Sequence, residues 1–117
     1  MISVIILNYN GKKWLEKCLD SLFDQTYKDF EIILVDNNSI DDSIEFINNR
    51  YGDRSNLKII KSDKNLGFAG GNNLGFKYAV GEYILLLNND TYVEKDFLEQ
   101  MLNSFSYSDH VGCVQSK

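Results

Sequence analysis

Two rhythms of apolar residues alternate along this chain. Ile2 to Leu7 is a nearly unbroken, β-branched run, and Ile32 to Val35, Leu57 to Ile60 and Tyr83 to Leu87 repeat it. Runs of this length, bounded by polar residues, predict strands inside a sheet; a membrane helix would need about 20 apolar positions. Tyr83 to Leu87, led by Gly81-Glu82, reads as a strand buried on both faces. Between the runs the spacing lengthens to that of helices. Trp14, Leu15, Cys18, Leu19, Leu22 and Phe23 make one stripe, Ile40, Ile44 and Ile47 a second, and Phe97, Leu98, Met101, Leu102 and Phe105 a third. Ser39 with Asp42 three residues on has the form of a capping box for the second helix, which should end near Tyr51-Gly52. Phe68 to Ala79 is glycine-rich for a helix, which points to close backbone approach, and Gly81 stands where a helix-terminating glycine would. Val111-Gly112-Cys113-Val114 has the composition to begin a fifth strand.

Strand and helix thus alternate four times, the signature of an α/β domain with a parallel sheet and helices on both faces. Right-handed crossovers make 3-2-1-4 the economical strand order, a Rossmann-like arrangement with its switch point between the first and fourth strands. Ligands of such folds bind at the carboxyl ends of the strands beside a switch point. Here those ends are Asn8-Tyr9-Asn10, Asp36-Asn37-Asn38 and Asn88-Asn89-Asp90. Each has a plain structural reading too: Asn-Asn-Asp as a helix cap, Asp36 as a turn or cap residue, Tyr9 as core. Convergence of all three on one edge favours a binding site.

The 117 residues suffice for one domain with a modest core. A net charge of −5 argues against a nucleic-acid partner held through its phosphates. A polyanionic ligand would then depend on backbone amides or a metal ion. Asp90 among amides suits a hard cation, since Mg²⁺ takes one or two carboxylates plus substrate phosphates. Cys18 and Cys113 lie far apart, without metal-ligand spacing, and read as buried free thiols of a reducing compartment. With no secretion signal and no apolar stretch of membrane length, the expected location is the cytoplasm, including the inner face of the membrane. No G-x-x-x-x-G-K-[ST] occurs, and Gly67, Gly70, Gly71 and Gly75 do not make G-x-G-x-x-G. The first strand ends in amides and a tyrosine, not in the acidic cluster of a signalling receiver domain.

Four stretches resemble the inverting family-2 glycosyltransferases with the GT-A fold. Val4-Ile5-Ile6-Leu7-Asn8-Tyr9-Asn10 is similar to the opening strand and nucleoside loop, and Ser21 to Ser39 to the segment with Gln25-Thr26 and Val35-Asp36-Asn37. Asn65-Leu66-Gly67 through Asn73-Leu74-Gly75 is similar to the family's N-x-G-x-x-x-x-x-N-x-G stretch, and Gly81 to Asp90 to the strand entering its metal motif. The resemblance covers almost the whole chain. It implies that residues 1–117 are a single nucleotide-sugar-binding domain, the donor part of a truncated catalytic domain. It implies a nucleoside-diphosphate sugar held with Mn²⁺ or Mg²⁺, for inverting transfer to an acceptor hydroxyl in polysaccharide, cell-wall or glycolipid synthesis.

Carried over by position, the nucleotide-binding residues would be Asn8, Tyr9, Asn10, Asp36, Asn38, Asn65 and Asn89. Tyr9 would lie against the base, Asp36 would accept from a pyrimidine N3–H, and Asn89 would reach the ribose. Asp90, helped by Asn88, would hold the metal. Asn88 departs from the family's aspartate-x-aspartate pattern, and a neutral amide is the weaker ligand. This Asn-x-Asp form, with Gly67-Phe68-Ala69-Gly70-Gly71-Asn72-Asn73, looks most like the rhamnosyltransferase branch. That favours a dTDP-deoxyhexose, with UDP- and GDP-sugars as the other donors. The family's catalytic base follows the region covered, so it is expected beyond Lys117, where the acceptor site would be built too. Apolar surface left uncovered would favour a homo-oligomer. The alternative is a nucleotide-binding or interaction module without chemistry.

Overall fold

A computed structural model describes residues 1–116. Four parallel strands, β1 (Ile2–Asn8), β2 (Phe30–Asp36), β3 (Leu57–Lys61) and β4 (Tyr83–Asn88), form one sheet in the order β3-β2-β1-β4. Between and after them run α1 (Lys12–Phe23), α2 (Ser43–Tyr51), α3 (Gly67–Phe76) and α4 (Phe97–Asn103), the last continued by a 3-10 turn over Ser104–Tyr107. The anticipated strand order is the observed one.

Its physical basis is the handedness of the crossovers. Steps from β1 to β2 to β3 run one way, and the return from β3 to β4 carries α3 to the opposite face. Strand alternation then divides the core in two. Val4, Ile6, Ile32 and Leu34 pack with Leu15, Cys18, Leu19, Leu22, Ile47 and Leu98. On the other face Ile5, Ile33 and Val35 pack with Leu74 and Ala79. In the strand register Asn8 pairs with Asp36 and Leu7 with Asn88, so the polar strand ends lie level along one edge.

α3 approaches its face closely. A Cβ on Gly75 would fall 2.7 Å from Ile5 Cγ2 and 3.0 Å from Val35 Cγ2; one on Gly71 would fall 2.7 Å from Leu7 Cδ2. The helix gives up about 1 kcal/mol of propensity per glycine for that proximity. At the far edge of the sheet, buried Glu31 ties three strands together. Its Oε1 accepts from Ser3 Oγ (2.7 Å) and Val80 N–H (2.9 Å), and Oε2 pairs with Lys58 Nζ (3.1 Å). Burial alone would raise the Glu31 pKa, but Ser3, the Val80 amide and Lys58 outweigh it and hold it below the ordinary value.

Several local expectations give way. β4 is an edge strand, not one buried on both faces: Ile84 is 37% exposed and Leu86 52%, because α3 packs over β1 and β2 and leaves β4 open. Trp14 lies at the margin of the α1 stripe and is half-exposed, with Lys13 Nζ 4.8 Å from its ring centroid. Ile40 is exposed and outside α2. The Ser39–Asp42 capping box does not form, because Ser39 turns back to Asp36 and Asn10 Oδ1 accepts the Ile40 and Asp41 N–H groups. α2 therefore starts only at Ser43, whose N–H is taken by Asp41 (3.1 Å). α3 ends at Phe76 and tightens into three-residue turns through Ala79. Gly81 instead passes close to β1, where a Cβ would meet Ser3 N at 2.7 Å. No fifth strand forms among the described residues: the short run Val111 to Val114 contains a glycine and follows the 3-10 turn as irregular chain, with Cys113 exposed, not buried. Among the described residues no helix is long and apolar enough to cross a membrane.

Candidate functional site

The carboxyl ends of β1, β2 and β4 meet through one side chain. Asn8 has no exposed surface. Its Nδ2 donates to Asp36 Oδ1 (2.9 Å) and Ser39 Oγ (3.3 Å), and its Oδ1 accepts from Gly11 N–H (3.2 Å) and Asn89 Nδ2 (3.1 Å). Those four bonds use the whole hydrogen-bonding capacity of an amide. Asp36, also buried, accepts from the Ser39 N–H and Oγ, closing a tight turn after β2. Asn10 and Asn38 take positive φ values of 52° and 64°, a conformation asparagine tolerates better than most residues. Asn10 spends its side-chain oxygen on the next loop.

Behind this junction a cavity of about 430 Å³ opens between β1, β4 and α3. Of the residues singled out in the sequence, Asn8, Tyr9, Asn65, Asn88, Asn89 and Asp90 line it; Asn10, Asp36 and Asn38 do not. Tyr9 is 52% exposed, which excludes a core role. The Asn-Asn-Asp run caps no helix, since α4 begins only at Phe97. Asp90 is exposed, and no described residue hydrogen-bonds or ion-pairs with its carboxylate. Beneath it lies Cys18, whose thiol is pushed up to about 12 by burial and, secondarily, by the Asp90 charge.

Leu7, Leu86, Leu87, Asn37, Gly67, Phe68 and Asn72 complete the lining; the last four stand in stretches the sequence singled out but had no individual site role there. Asn37 is a clamp: its Oδ1 accepts the Leu66 N–H (3.4 Å) and its Nδ2 donates to the Gly67 carbonyl (3.1 Å), fixing the entry to α3. Gly67 makes that entry with φ at 73°. Phe68 and Asn72 stand four residues apart on α3, so a helical wheel puts them on one face beside the Gly71/Gly75 face; that spacing was the available signal.

The chemistry of the lining is unusual in its neutrality. Six asparagines and one tyrosine surround a single carboxylate, Asp90, with no cationic side chain. Amides both donate and accept, which suits the hydroxyls of a sugar and the edge of a base. An anionic group entering there meets no lysine or arginine, so a divalent cation on Asp90 would have to offset its charge. Among the described residues no group of three or more His, Cys, Asp or Glu could hold a metal by itself. One carboxylate with Asn88 beside it fits a cation whose remaining ligands come from the substrate and water.

The family model described as Glycosyl transferase family 2 matches residues 3–116. The chain is 36% identical over 111 residues to an uncharacterized glycosyltransferase of Haemophilus influenzae, covering 95% of this chain and 44% of that protein. It superposes on S. aureus TarS 1-349 in complex with UDP-GlcNAc with a TM-score of 0.82 at 27% identity, over 98% of this chain and 37% of the other. On the mannosyltransferase PcManGT from Pyrobaculum calidifontis, in complex with GDP-Man and Mn²⁺, the TM-score is 0.88 over 98% of this chain and 35% of the other; at 23% identity that likeness bears on the fold alone. The chain thus spans less than half the length of each of these proteins.

Proposed function

Because this chain belongs to glycosyl transferase family 2, we propose that it binds a nucleoside-diphosphate sugar across the carboxyl edge of its sheet. The protein built on it would transfer that sugar, with inversion, to an acceptor hydroxyl. The observation that carries this reading is the amide-lined cavity at the switch point, with Tyr9 and Asp90 in its wall and no cation. The similarity to TarS, whose complex contains UDP-GlcNAc, supports it.

Each residue has a role its environment permits. Tyr9, held half-exposed by the buried Asn8, offers a ring face to the base. Asp36 Oδ2 accepts only the Ser39 N–H among the described residues and keeps a lone pair for a base N3–H. Asn89 gives its Nδ2 to Asn8, which aims its Oδ1 at a ribose hydroxyl. Asn65 binds at the opposite wall. Asn8, Asn10 and Asn38 act as supports, keeping these groups in place before the ligand arrives. Asp90, with Asn88, would hold Mg²⁺ or Mn²⁺, which would supply Lewis-acid stabilisation of the departing diphosphate. Among donors, the Asn88-Asn89-Asp90 and Gly67–Asn73 stretches favour a dTDP-deoxyhexose.

Calorimetry against dTDP, UDP and GDP, each with and without Mn²⁺, tests the reading. Binding should require the metal and should vanish in Asp90→Asn, while the melting temperature stays put because Asp90 is exposed. No binding of any of the three would end the proposal. Metal-dependent binding that survives in Asp90→Asn would end the assignment of Asp90.

A further inference from the structure

Ser21, Gln25 and Thr26, singled out in the sequence, take no part in lining the cavity. They hold the chain that leaves it. Past Asn88 the backbone belongs to no strand, and it enters no helix until Phe97. Asn88 to Thr91 closes a turn in which the Thr91 N–H (3.3 Å) and hydroxyl (2.6 Å) both donate to the Asn88 carbonyl. Asp90 is the third residue of that turn. Cys18 Sγ donates to the same carbonyl at 3.8 Å. Beyond the turn, Ser21 Oγ accepts the Val93 N–H (3.2 Å), and Gln25 Nε2 donates to the Glu94 carbonyl (2.6 Å). The Thr26 N–H donates to the Lys95 carbonyl (2.8 Å), and Gln25 Oε1 accepts the Leu98 N–H (2.9 Å).

Cys18, Ser21 and Gln25 recur at helical spacing, so one face of α1 and its end takes up groups that regular structure leaves unpaired. Both side chains are fixed in direction. The Ser21 hydroxyl gives its proton to the Cys18 carbonyl (2.8 Å), which leaves a lone pair for Val93. Gln25 has no exposed surface and spends its Nε2 also on the Ser21 carbonyl (3.0 Å). An apolar side chain of that size would fill the same space but would leave the Leu98 N–H, in the first turn of α4, without its acceptor.

We infer that Ser21 and Gln25 are positioning residues for the metal: by fixing the chain on the far side of Asp90, they hold its carboxylate where the cation is bound. The inference rests on the function proposed above and adds to it a support outside the cavity. On the near side, β4 is held by its ladder to β1, and Asn89 is tied to Asn8. The Asp90 carboxylate has no hydrogen bond or ion pair of its own among the described residues. Its direction therefore depends on the turn that carries it, and that turn is anchored at both ends. Releasing Val93 and Glu94 lets Asp90 move with every lining side chain unaltered.

The test is the Mn²⁺ concentration at half-maximal nucleotide binding. Calorimetry would measure it with the one of dTDP, UDP and GDP that the unaltered chain binds best, for Ser21→Ala, Gln25→Met and the control Tyr51→Phe. Ser21 is half-buried, so its alanine variant should fold even if Gln25→Met does not. Tyr51→Phe removes a hydroxyl that ties α2 to Asp20 of α1 (2.7 Å), and so loosens α1 without touching the chain beyond Asp90. In Ser21→Ala and Gln25→Met the midpoint should rise about tenfold, the lower end of what loss of an outer support costs in metal affinity. Excess Mn²⁺ should restore nucleotide affinity at full stoichiometry, because the amide lining is intact. In Tyr51→Phe the melting temperature should fall while the midpoint stays within about twofold. A merely structural role would lower all three melting temperatures and leave every midpoint alone. A midpoint within about twofold of the unaltered chain in Ser21→Ala, or in folded Gln25→Met, overturns the inference, as does an equal rise in Tyr51→Phe. If the unaltered chain binds no nucleotide with Mn²⁺, the proposed function fails and this inference with it; if it binds and the variants match it, only the inference fails.

Discussion

Replacing Asn8 by alanine should cost more stability than its size suggests. The side chain is fully buried and makes four hydrogen bonds, one to the carboxylate of Asp36, which is itself only 4% exposed. A hydrogen bond to a charged partner contributes about 1.5–3 kcal/mol, and a neutral one about 1 kcal/mol. Ser39 and Asn89 are partly exposed and recover part of their loss through water, whereas the Gly11 N–H is buried and loses its partner. The Asp36 carboxylate keeps only its two bonds from Ser39. The expected destabilisation is about 3 kcal/mol, a large share of the roughly 5–15 kcal/mol that holds a domain folded. At this chain length that corresponds to a melting temperature lower by about 12 °C. Urea and thermal denaturation followed by circular dichroism would measure it. Tyr9→Ala, one residue along and half-exposed, serves as the control and should stay within about 0.5 kcal/mol. Asn8→Ala should also couple with Asp36→Ala by about 1 kcal/mol or more in a double-mutant cycle. A loss below about 0.5 kcal/mol, or additivity with Asp36→Ala, would refute the idea that this amide joins the strand ends.

Tyr9→Ala should weaken nucleotide binding roughly tenfold, about the scale of one aromatic stacking contact, while leaving the melting temperature unchanged; equal affinity would remove Tyr9 from the base site. Under native conditions a thiol reagent should modify one cysteine quickly, the exposed Cys113, while Cys18, buried and with its thiol pushed up to about 12, reacts only on unfolding; two fast thiols would contradict the packing beneath Asp90. Glu31 should make the fold acid-sensitive. Its folded pKa lies below the unfolded one, so its contribution is present above the ordinary glutamate value of about 4.3 and is lost as pH falls through the lower folded value. Glu31→Gln should be less stable than the unaltered chain at neutral pH and should show a shallower decline in acid; parallel stability–pH curves would exclude the assignment.

The sheet was legible because its signal is redundant. Ile2 to Leu7 and Ile32 to Val35 can be little else than buried strands, and crossover handedness then leaves few orders for four of them. Helix beginnings were less legible, because local rules compete with contacts distant in sequence. Ser39 has the chemistry of a cap, but Asp36 and Asn8 take its hydroxyl, and Asn10 holds the N–H groups that would have begun the helix earlier. Tyr83 to Leu87 looked doubly buried because an apolar run does not say whether its strand ends up at an edge. In the site, residue type located the polar strand ends but could not separate binders from supports. Asn8 and Asn89 are the same residue, and burial alone distinguishes them. Asn72 and its neighbour Asn73 are likewise indistinguishable in sequence until the helix turns one of them toward the cavity.

The paired glycines of α3 bear on how this site could vary among related proteins. Gly75 packs on Ile5 and Val35, behind the cavity, and Gly71 on the lining residues Leu7 and Asn37; the distance they allow between helix and sheet bears on how far the wall bearing Phe68 and Asn72 stands from Leu86 and Asn88. A methyl group at residue 75 would have to displace Ile5, Val35 or the helix itself. The gap could therefore be widened from behind through residue 75, with no lining residue altered. A search for variants of changed donor preference that examines only the lining would overlook this route, and Gly71 and Gly75 belong among the positions to randomise.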